Sequence, residues 1–324
     1  MKIPLTLLLW LVLWLLLPGA AIAQTNANQP VKDWSVETVV VTAEPPGPAL
    51  WRITKGSSEV WILGLVEPLP AQLQWDSRGL RGLMDHARAV LLPPRGEVGM
   101  FEGLWFLIAH GDMLRLPEGQ SLAAELPPAL RARFLDAVGK AGHDPDRYAS
   151  FKPAVAGFML ENDFLKQRDF TVREPLDTIR ILAARRSVPV NLIATYPALD
   201  VVKQVSMLSP EGHRQCLTDS IDDLDTLAAH AAPAASAWAE GNVEGIEEHY
   251  SEARALDCLS QSASFGQLWE RSVRDTVTAI DGALSRSGKT IVVINIGEFL
   301  RKNGVLERLK AQGLELEGPP VTGK

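Results

Sequence analysis

Most short motifs that identify enzyme families are missing from this 324-residue sequence. It contains no HExxH, CxxC, GxSxG or GxGxxG, which argues against the zinc-protease, thioredoxin-like, serine-hydrolase and dinucleotide-binding classes. The segment Ser287–Thr290 (SGKT) looks like the end of a P-loop. However, it lacks the required earlier glycine, and it precedes a predicted strand instead of following one. The six histidines have no ligand spacing, so we expect solvated or core roles for them.

Cysteine and positive charge are also scarce. Cys216 and Cys258 are the only cysteines, and the formal net charge is −7. In an oxidising compartment two cysteines indicate one disulfide, here closing a loop of about forty residues, although two buried thiols are the alternative. An acidic chain without a basic run is a poor partner for nucleic acid.

The N-terminus has the pattern of a signal peptide over residues 1–23. Lys2 is followed by an apolar run, Ile3–Leu17, and the small residues Ala21 and Ala23 precede Gln24. The run is shorter than the roughly 20 residues of a membrane span, so a retained anchor is the weaker alternative. We therefore predict cleavage after Ala23, a periplasmic or secreted protein, and no stable membrane anchor after cleavage.

Between the predicted signal and the globular part, residues 24–48 are polar and rich in proline, which predicts a flexible leader. Within it, Glu37–Ala43 (ETVVVTA) resembles a TonB box, a segment captured as an added strand. The match covers only seven residues of common types, so a first strand or a chance run is the preferred interpretation. We place one domain at residues 49–318 and a disordered tail at 319–324.

The globular part alternates buried strands with helices, which predicts an α/β fold: a mixed central sheet with a large helical insertion. The predicted strands are the hairpin ALWRIT and EVWILG, Ala89–Pro94, Val188–Ala194, TIVVINIG and LELEG. Helices are predicted at 76–86, across 101–174 with breaks, at 174–188, down to Ser285, and as one helix EFLRKNGVLERLKAQG ended by Gly313.

Two strand ends share one pattern. An apolar strand reaches Gly64 and is followed by Glu67, and a second reaches Gly297 and is followed at once by Glu298. Ligands of open α/β sheets bind outside the carboxyl ends of the strands. If the strands are neighbours, Glu67 and Glu298 would face one crevice and could share a proton, hold a hard cation or act as acid and base. The alternative is that Glu298 only begins a helix and Glu67 is a solvated loop residue.

Five segments carry a family resemblance: LWRITKGSSEVWILG, SLAAELPPALRARFLDAVGKAG, FKPAV, AWAEGNVEGI and GVLERLKAQG. In this order they resemble the TraB/GumN family, related to the Tiki metalloproteases, over most of residues 49–318. The resemblance implies a TraB/Tiki-like α/β sheet with a helical insertion. It also implies metal-dependent chemistry through two Gly-x-x-His-like motifs aided by glutamates.

The chain departs from that pattern at each site position. Glu67 and Glu298 stand where the resemblance places histidines, and Pro93 and Ala194 stand where it places glutamates. Arg271 matches an arginine of the family's Arg-Asn stretch.

Other positions near the motifs are mixed. Ser272 replaces the Asn that follows that arginine in the family, whereas Gly64 and Gly297, which shape the backbone around the site, are retained. Two carboxylates without a third protein ligand would bind a metal weakly. Loss of one acid–base group typically slows a reaction about 10²–10⁴-fold.

These departures predict a degenerate active site without a cofactor. We expect a non-catalytic binding protein, a pseudoenzyme, for a peptide, polypeptide or glycan. The alternative is a metal-dependent hydrolase of peptidase type that uses Glu67 and Glu298, with Arg271, and a divalent metal. A third hypothesis is an interaction module that works through Glu37–Ala43.

Overall fold

A five-stranded sheet organises the fold, with the strand order β1–β2–β9–β4–β7. A computed structural model describes residues 47–250 and 263–319. The sheet strands are β1 (Leu50–Lys55), β2 (Ser58–Leu65), β4 (Ala87–Leu92), β7 (Val190–Leu192) and β9 (Gly288–Asn295). The strands β3 (Leu69–Pro70) with β6 (Phe170–Thr171), and β5 (Arg95–Glu97) with β8 (Thr195–Pro197), form two small additional pairs.

The hairpin and the parallel strands make the sheet mixed, as predicted. β1 and β2 are antiparallel, and Gly56 in their turn has a φ of +61°. β2, β9, β4 and β7 run parallel to one another. Strands covered on both faces are almost continuously apolar. This explains why β2 and β9, whose central residues are buried, could be recognised in the sequence.

Helices cover the sheet and extend beyond it. They are α1 (Arg78–Met84), α2 (Met100–His110), α3 (Leu122–Glu125), α4 (Pro128–Lys140), α5 (Pro153–Gln167), α6 (Leu176–Arg185), α7 (Leu199–Ser206), α8 (Pro210–Ala239), α9 (Val243–His249), α10 (Ala263–Leu284), α11 (Ile296–Leu300) and α12 (Val305–Ala311). Two 3-10 turns lie at Gly111–Leu114 and Pro145–Arg147.

The core has two large parts that match the predicted sheet and helical insertion. The first packs the sheet against α6, the end of α8, α9, α10 and α12. The second, around Phe134, Leu160 and Ile221, joins α4, α5 and the first half of α8. Asp163 lies buried beside it and accepts hydrogen bonds from Arg147 and the Tyr148 hydroxyl. The insertion therefore has its own apolar core and its own buried polar contact.

The C-terminal unit differs from the prediction in two ways. The single predicted helix is two helices, because α11 ends at Leu300 and α12 begins only at Val305. A Cβ at Gly304 would lie 2.5 Å from the Glu298 carbonyl oxygen, so the chain turns there with a residue that has no side chain. The predicted strand LELEG is reduced to one isolated bridge between Arg52 and Glu317. Gly313 has a φ of +79° after α12, as its predicted C′ role requires.

Smaller differences concern element limits. The predicted strand Val188–Ala194 is confined to β7, and the region predicted to be helical from 101 to 174 also contains β6. β5 and β8 were not predicted, because three-residue strands carry too short a pattern to recognise.

Several predictions fall outside the described residues. The signal peptide, Glu37–Ala43 and nearly all of the leader precede residue 47, and all of the tail except Pro319 follows residue 319. Cys216 is buried beside Ala154 and Val205, but Cys258 lies in the undescribed stretch, so the disulfide stays a prediction. Within the described ranges, no helix combines the length and apolar character needed to cross a bilayer.

Candidate functional site at the carboxyl edge of the sheet

A cleft of about 740 Å³ opens where β2, β4 and β7 end. Its volume lies within the range of small-molecule sites, and its position is the usual one for ligands of open α/β sheets. The lining residues come from four segments: Glu67; Leu92, Pro93, Pro94 and Arg95; Val172, Arg173, Leu176, Asp177 and Arg180; and Val190, Asn191 and Leu192.

Glu67 lies two residues after the end of β2, and its carboxyl group lines this cleft. Burial raises the pKa of Glu67 to about 7, and a side-chain hydrogen bond from Asn295 opposes that rise. Asn295 ends β9 and lies opposite Leu65. Its Oδ1 accepts from the Gly297 N–H at 2.9 Å and from the Tyr250 hydroxyl at 3.2 Å. The two neighbouring strand ends are therefore linked through Asn295, and Glu67 changes charge near neutral pH.

A second, much smaller cavity of about 20 Å³ also contacts Glu67. His230, His249 and Tyr250 are among its lining residues, and the two imidazole rings stack with centroids 5.8 Å apart. The Nδ1 of His249 is buried and has no hydrogen-bond partner within the described residues. Such a cavity is about large enough for one water molecule. These two histidines thus lie next to the candidate site, where His230 is exposed, as expected of a solvated histidine, and His249 is half-buried.

The side chains around Glu67 include types that can bind a metal ion. Imidazole and carboxylate groups are suitable ligands for zinc, manganese or cobalt. Over residues 47–250 and 263–319, however, no three or more His, Cys, Asp or Glu side chains converge with ligand geometry. The present arrangement of Glu67, His230 and His249 therefore does not fit a metal centre.

Glu298 has a different environment from Glu67, although β2 and β9 are neighbours as hypothesised. Its side chain belongs to the first turn of α11, is 5% exposed, and does not line either cavity among the described residues. Its carboxylate accepts from Ser272 Oγ and Thr276 Oγ1, both at 3.0 Å. Burial raises the pKa of Glu298, and the hydrogen bonds from Thr276 and Ser272 oppose this. The carboxylate thereby joins α11 to α10.

Arg271 lies at the surface, one position before Ser272, which donates to Glu298. Its Nε is 3.7 Å from Asp275 Oδ2, and its guanidinium stands 5.2 Å from the centre of the Tyr196 ring. The Tyr196 hydroxyl donates to Asp275 at 2.8 Å. Burial is the main cause that raises the pKa of Tyr196, and the hydrogen bond to Asp275 and the charges of Asp275 and Glu298 add to it. Arg271 thus takes part in a polar contact between β8 and α10.

The two glycines predicted to shape the site make identifiable contacts. The Gly64 carbonyl accepts from the buried Trp238 Nε1 at 2.7 Å. A Cβ at Gly64 would stand 2.4 Å from Ile296 Cδ1, so the absence of a side chain allows α11 to pack against β2. Gly297 donates its backbone N–H to Asn295, which is the N-cap of α11.

Pro93 and Ala194 have no titratable side chain, although the family resemblance places glutamates at these two positions. Pro93 is part of the apolar wall of the cleft. The Ala194 carbonyl accepts from the backbone N–H of Arg95 at 3.2 Å, which extends the β5–β8 pairing. At these two positions the cleft is built from backbone and apolar contacts.

Three arginines give the cleft a basic side. Asp177 lies between two of them, 3.0 Å from Arg180 Nη1 and 3.6 Å from Arg173 Nε. Arg95 forms an ion pair with Glu97. Among the described residues, three guanidiniums are therefore paired with two carboxylates, Asp177 and Glu97, which leaves one positive charge in excess while Glu67 is protonated.

Sequence reasoning missed most of these neighbours. Asn295 could have been noticed, because an Asn at the end of a strand and before a helix is a common N-cap. His230 and His249 lie on different helices, 19 positions apart, and Arg95 is far in sequence from Arg180. No spacing rule connects such positions, since only folding brings them together.

The fold and the cleft define a class: an α/β protein with a ligand-sized cavity at the carboxyl edge of a mixed sheet. The model of the TraB/PrgY/gumN family matches residues 49–318, so the chain belongs to that family. The family prediction is thereby confirmed. Searches of curated proteins and of solved structures find no match.

Proposed function

We propose that this protein is a non-catalytic binding protein whose cleft takes an acidic segment of a peptide or glycan. One observation carries the proposal: Glu67 and three arginines line a cleft of about 740 Å³, while Glu298 lies outside that lining, held by two hydroxyls. The two carboxylates that an enzyme would need at one place thus have separate surroundings.

The basic side of the cleft indicates the charge of the ligand. Among the residues that the structure describes, Arg173 and Arg180 share one carboxylate, Asp177, which uses only part of their hydrogen-bond donors. Guanidinium groups bind carboxylates through paired hydrogen bonds that fix orientation. The overall net charge of −7 would repel an acidic ligand. Binding of an acidic ligand at this cleft would therefore depend on the local excess of positive charge.

Glu67 makes the proposed binding dependent on pH. With a pKa of about 7, Glu67 is mostly neutral at pH 6 and mostly ionised at pH 8. The neutral carboxyl can donate a hydrogen bond to a ligand carboxylate, whereas the ionised form repels it. We expect affinity for an acidic ligand to fall from pH 6 to pH 8, and Glu67→Gln to remove this fall.

The test compares defined probes on the purified protein. An oligoglutamate peptide and an oligogalacturonate are titrated by calorimetry, with an oligolysine peptide as the charge control. Arg180→Ala should weaken binding of the acidic probe about 10–100-fold, because a charged hydrogen bond is lost. Arg185→Ala is the matched control, since Arg185 lies on the same helix but does not line the cleft. Equal effects of both variants, or no binding of either acidic probe, would reject the proposal.

A second candidate function, hydrolysis, rests on the pKa of Glu67. A carboxyl group that titrates near pH 7 is well matched to general acid–base catalysis. This candidate predicts cleavage of peptide or ester substrates that Glu67→Gln abolishes while the protein stays folded. Titration with manganese, cobalt, zinc and calcium, beside Glu67→Ala and Glu298→Ala, tests its metal-dependent form. Saturable binding lost in both variants would favour the hydrolase over the binding protein.

A further inference from the structure

The helix α2 exposes an unusual amount of apolar surface. Six of its eleven residues are large apolar side chains that are between 55% and 84% exposed. They are Met100, Phe101, Leu104, Trp105, Leu107 and Ile108. Phe106 is the one buried residue of the helix, so only a narrow face of α2 packs against the rest of the protein.

The ionisable residues of α2 share the face that contains Phe106. Glu102, Phe106 and His110 are spaced by four, which puts them on the same side of a helix. The ring of His110 lies 5.9 Å from that of Phe106, in agreement with this spacing. The outward half of α2 is therefore apolar throughout, the reverse of an ordinary surface helix.

The exposed area is of the size that a stable interface needs. Phe101 and Trp105 alone expose roughly 300 Å², since an aromatic side chain offers about 150–250 Å². The other four exposed side chains add their own area, so the exposed apolar area of α2 is well above that of Phe101 and Trp105 alone. Each partner in a standard interface buries about 800 Å², whereas the largest apolar patch of a typical monomer is about 300–600 Å².

Charge argues against an anionic membrane as the occupant. From Val98 to Leu114 the chain has no Lys or Arg, but it has Glu102 and Asp112. Helices that lie on anionic bilayers carry Lys and Arg on their polar face. A second copy of the same chain has no such requirement, because a uniformly apolar patch is complementary to itself about a two-fold axis.

From this area and this charge pattern we infer that the outward face of α2 is the interface of a homodimer. Each copy covers the exposed aromatic and aliphatic side chains of the other. This inference does not depend on the proposed function of the cleft, because α2 contributes no residue to the lining of that cavity.

Sedimentation equilibrium of the purified protein tests the inference. The parent protein should sediment as a dimer that persists at raised salt, because apolar contacts are not screened. Ile108→Glu should raise the dimer Kd at least about tenfold, since it puts a charge into the buried face. Ile181→Glu is the matched control, an exposed isoleucine on α6, and should change the Kd less than about twofold.

A second pair of variants guards against an effect peculiar to one position. Met100→Glu should also dissociate the dimer, whereas Met207→Glu, at an exposed methionine after α7, should not. Circular dichroism checks that all four variants stay folded. A parent protein that is monomeric throughout would overturn the inference, as would equal dissociation by the control variants. Flotation of the monomer with zwitterionic vesicles, lost in Ile108→Glu, would also overturn it and assign the face to a bilayer.

Discussion

The carboxyl ends of β2 and β9 share one sequence pattern but lie in different environments. At the end of β2, Glu67 contacts an open cleft and titrates near pH 7. At the end of β9, Glu298 is 5% exposed and is held by the hydroxyls of Ser272 and Thr276. The strands themselves are adjacent and in register, so the strand pattern alone does not account for the difference.

The difference arises from the path of the chain beyond each strand. After Gly64 the chain continues as strand for one residue and then leaves the sheet, so Glu67 reaches the edge where the cleft lies. After Asn295 the chain enters α11 at once, and Glu298 is carried beneath α10. A carboxylate near a strand end is therefore available to a ligand only if no helix packs over it.

The strongest effect should be a difference in stability between two alanine substitutions. Glu298→Ala at pH 5 should lower the free energy of unfolding by about 2–4 kcal/mol, because it leaves a cavity and two hydroxyls without their acceptor. Glu67→Ala under the same conditions should change it by less than about 1 kcal/mol, since that side chain borders open space. Urea denaturation followed by tryptophan fluorescence measures both. Similar losses for the two variants would contradict the contrast between the two strand ends.

Close packing at Gly64 provides the next test. Gly64→Ala should cost about 1–3 kcal/mol, because the new methyl group would overlap Ile296 Cδ1. Ile296→Val removes that atom, so the double variant should lose less stability than the sum of the two single variants. A double-mutant cycle in urea gives the coupling energy. Strict additivity would mean that Ile296 is not the residue that excludes a side chain at Gly64.

The pH dependence of stability should reveal the environment of Glu67. A carboxyl whose pKa rises on folding contributes stability that is fully present below about pH 4.5 and lost as pH rises through about 7. Glu67→Gln should therefore make the protein more stable than the parent at pH 8, by about 1–3 kcal/mol, and leave it unchanged near pH 4.5. Denaturation at several pH values measures this.

Glu161 supplies a control in the helical insertion for that experiment. Burial, followed by repulsion from Asp223, raises the pKa of Glu161 to about 7 as well. Glu161→Gln should remove the part of the pH dependence of stability that Glu161 causes. The effects of the two substitutions on the free energy of unfolding should be additive, because their sites belong to different parts of the fold. An unchanged pH dependence in Glu67→Gln would contradict the raised pKa of Glu67.

The weakest effect concerns the link between the two strand ends. Asn295→Ser keeps an N-cap for α11 but shortens the side chain that reaches Glu67. Because the hydrogen bond from Asn295 lowers the pKa of Glu67, its loss should raise that pKa above 7, with little change in stability. A carbon-13 NMR titration of the Glu67 carboxyl group would measure the shift. A lower pKa in the variant would show that Asn295 does not stabilise the ionised form.

Much of the sheet was predictable because buried strands have continuous apolar sequences. The hairpin of β1 and β2 and the apolar strand β9 follow from continuous apolar runs and a Gly-containing turn. The break between α11 and α12 was missed, although Asn303 and Gly304 form a turn-like pair. The apolar residues on both sides of that pair continue a helical period, so the pattern by itself favours one helix.

The helix α2 shows the limit of periodicity in a different way. Its residues predict a helix, and the structure contains one at Met100–His110. A wide apolar face on a helix is normally buried, yet that of α2 is exposed. Composition thus indicates the type of secondary structure but not whether neighbouring elements cover it.

Local patterns of apolar residues and glycines predicted the mixed α/β architecture with its helical insertion and the placement of Glu67 and Glu298 after two buried strands, and the resemblance of five segments predicted the family. The folded structure was needed to show that Glu67 borders a cleft with Arg173 and Arg180, whereas Glu298 is buried beneath α10. The exposure of a side chain depends on segments distant in sequence, and no local pattern records which of them will pack against it.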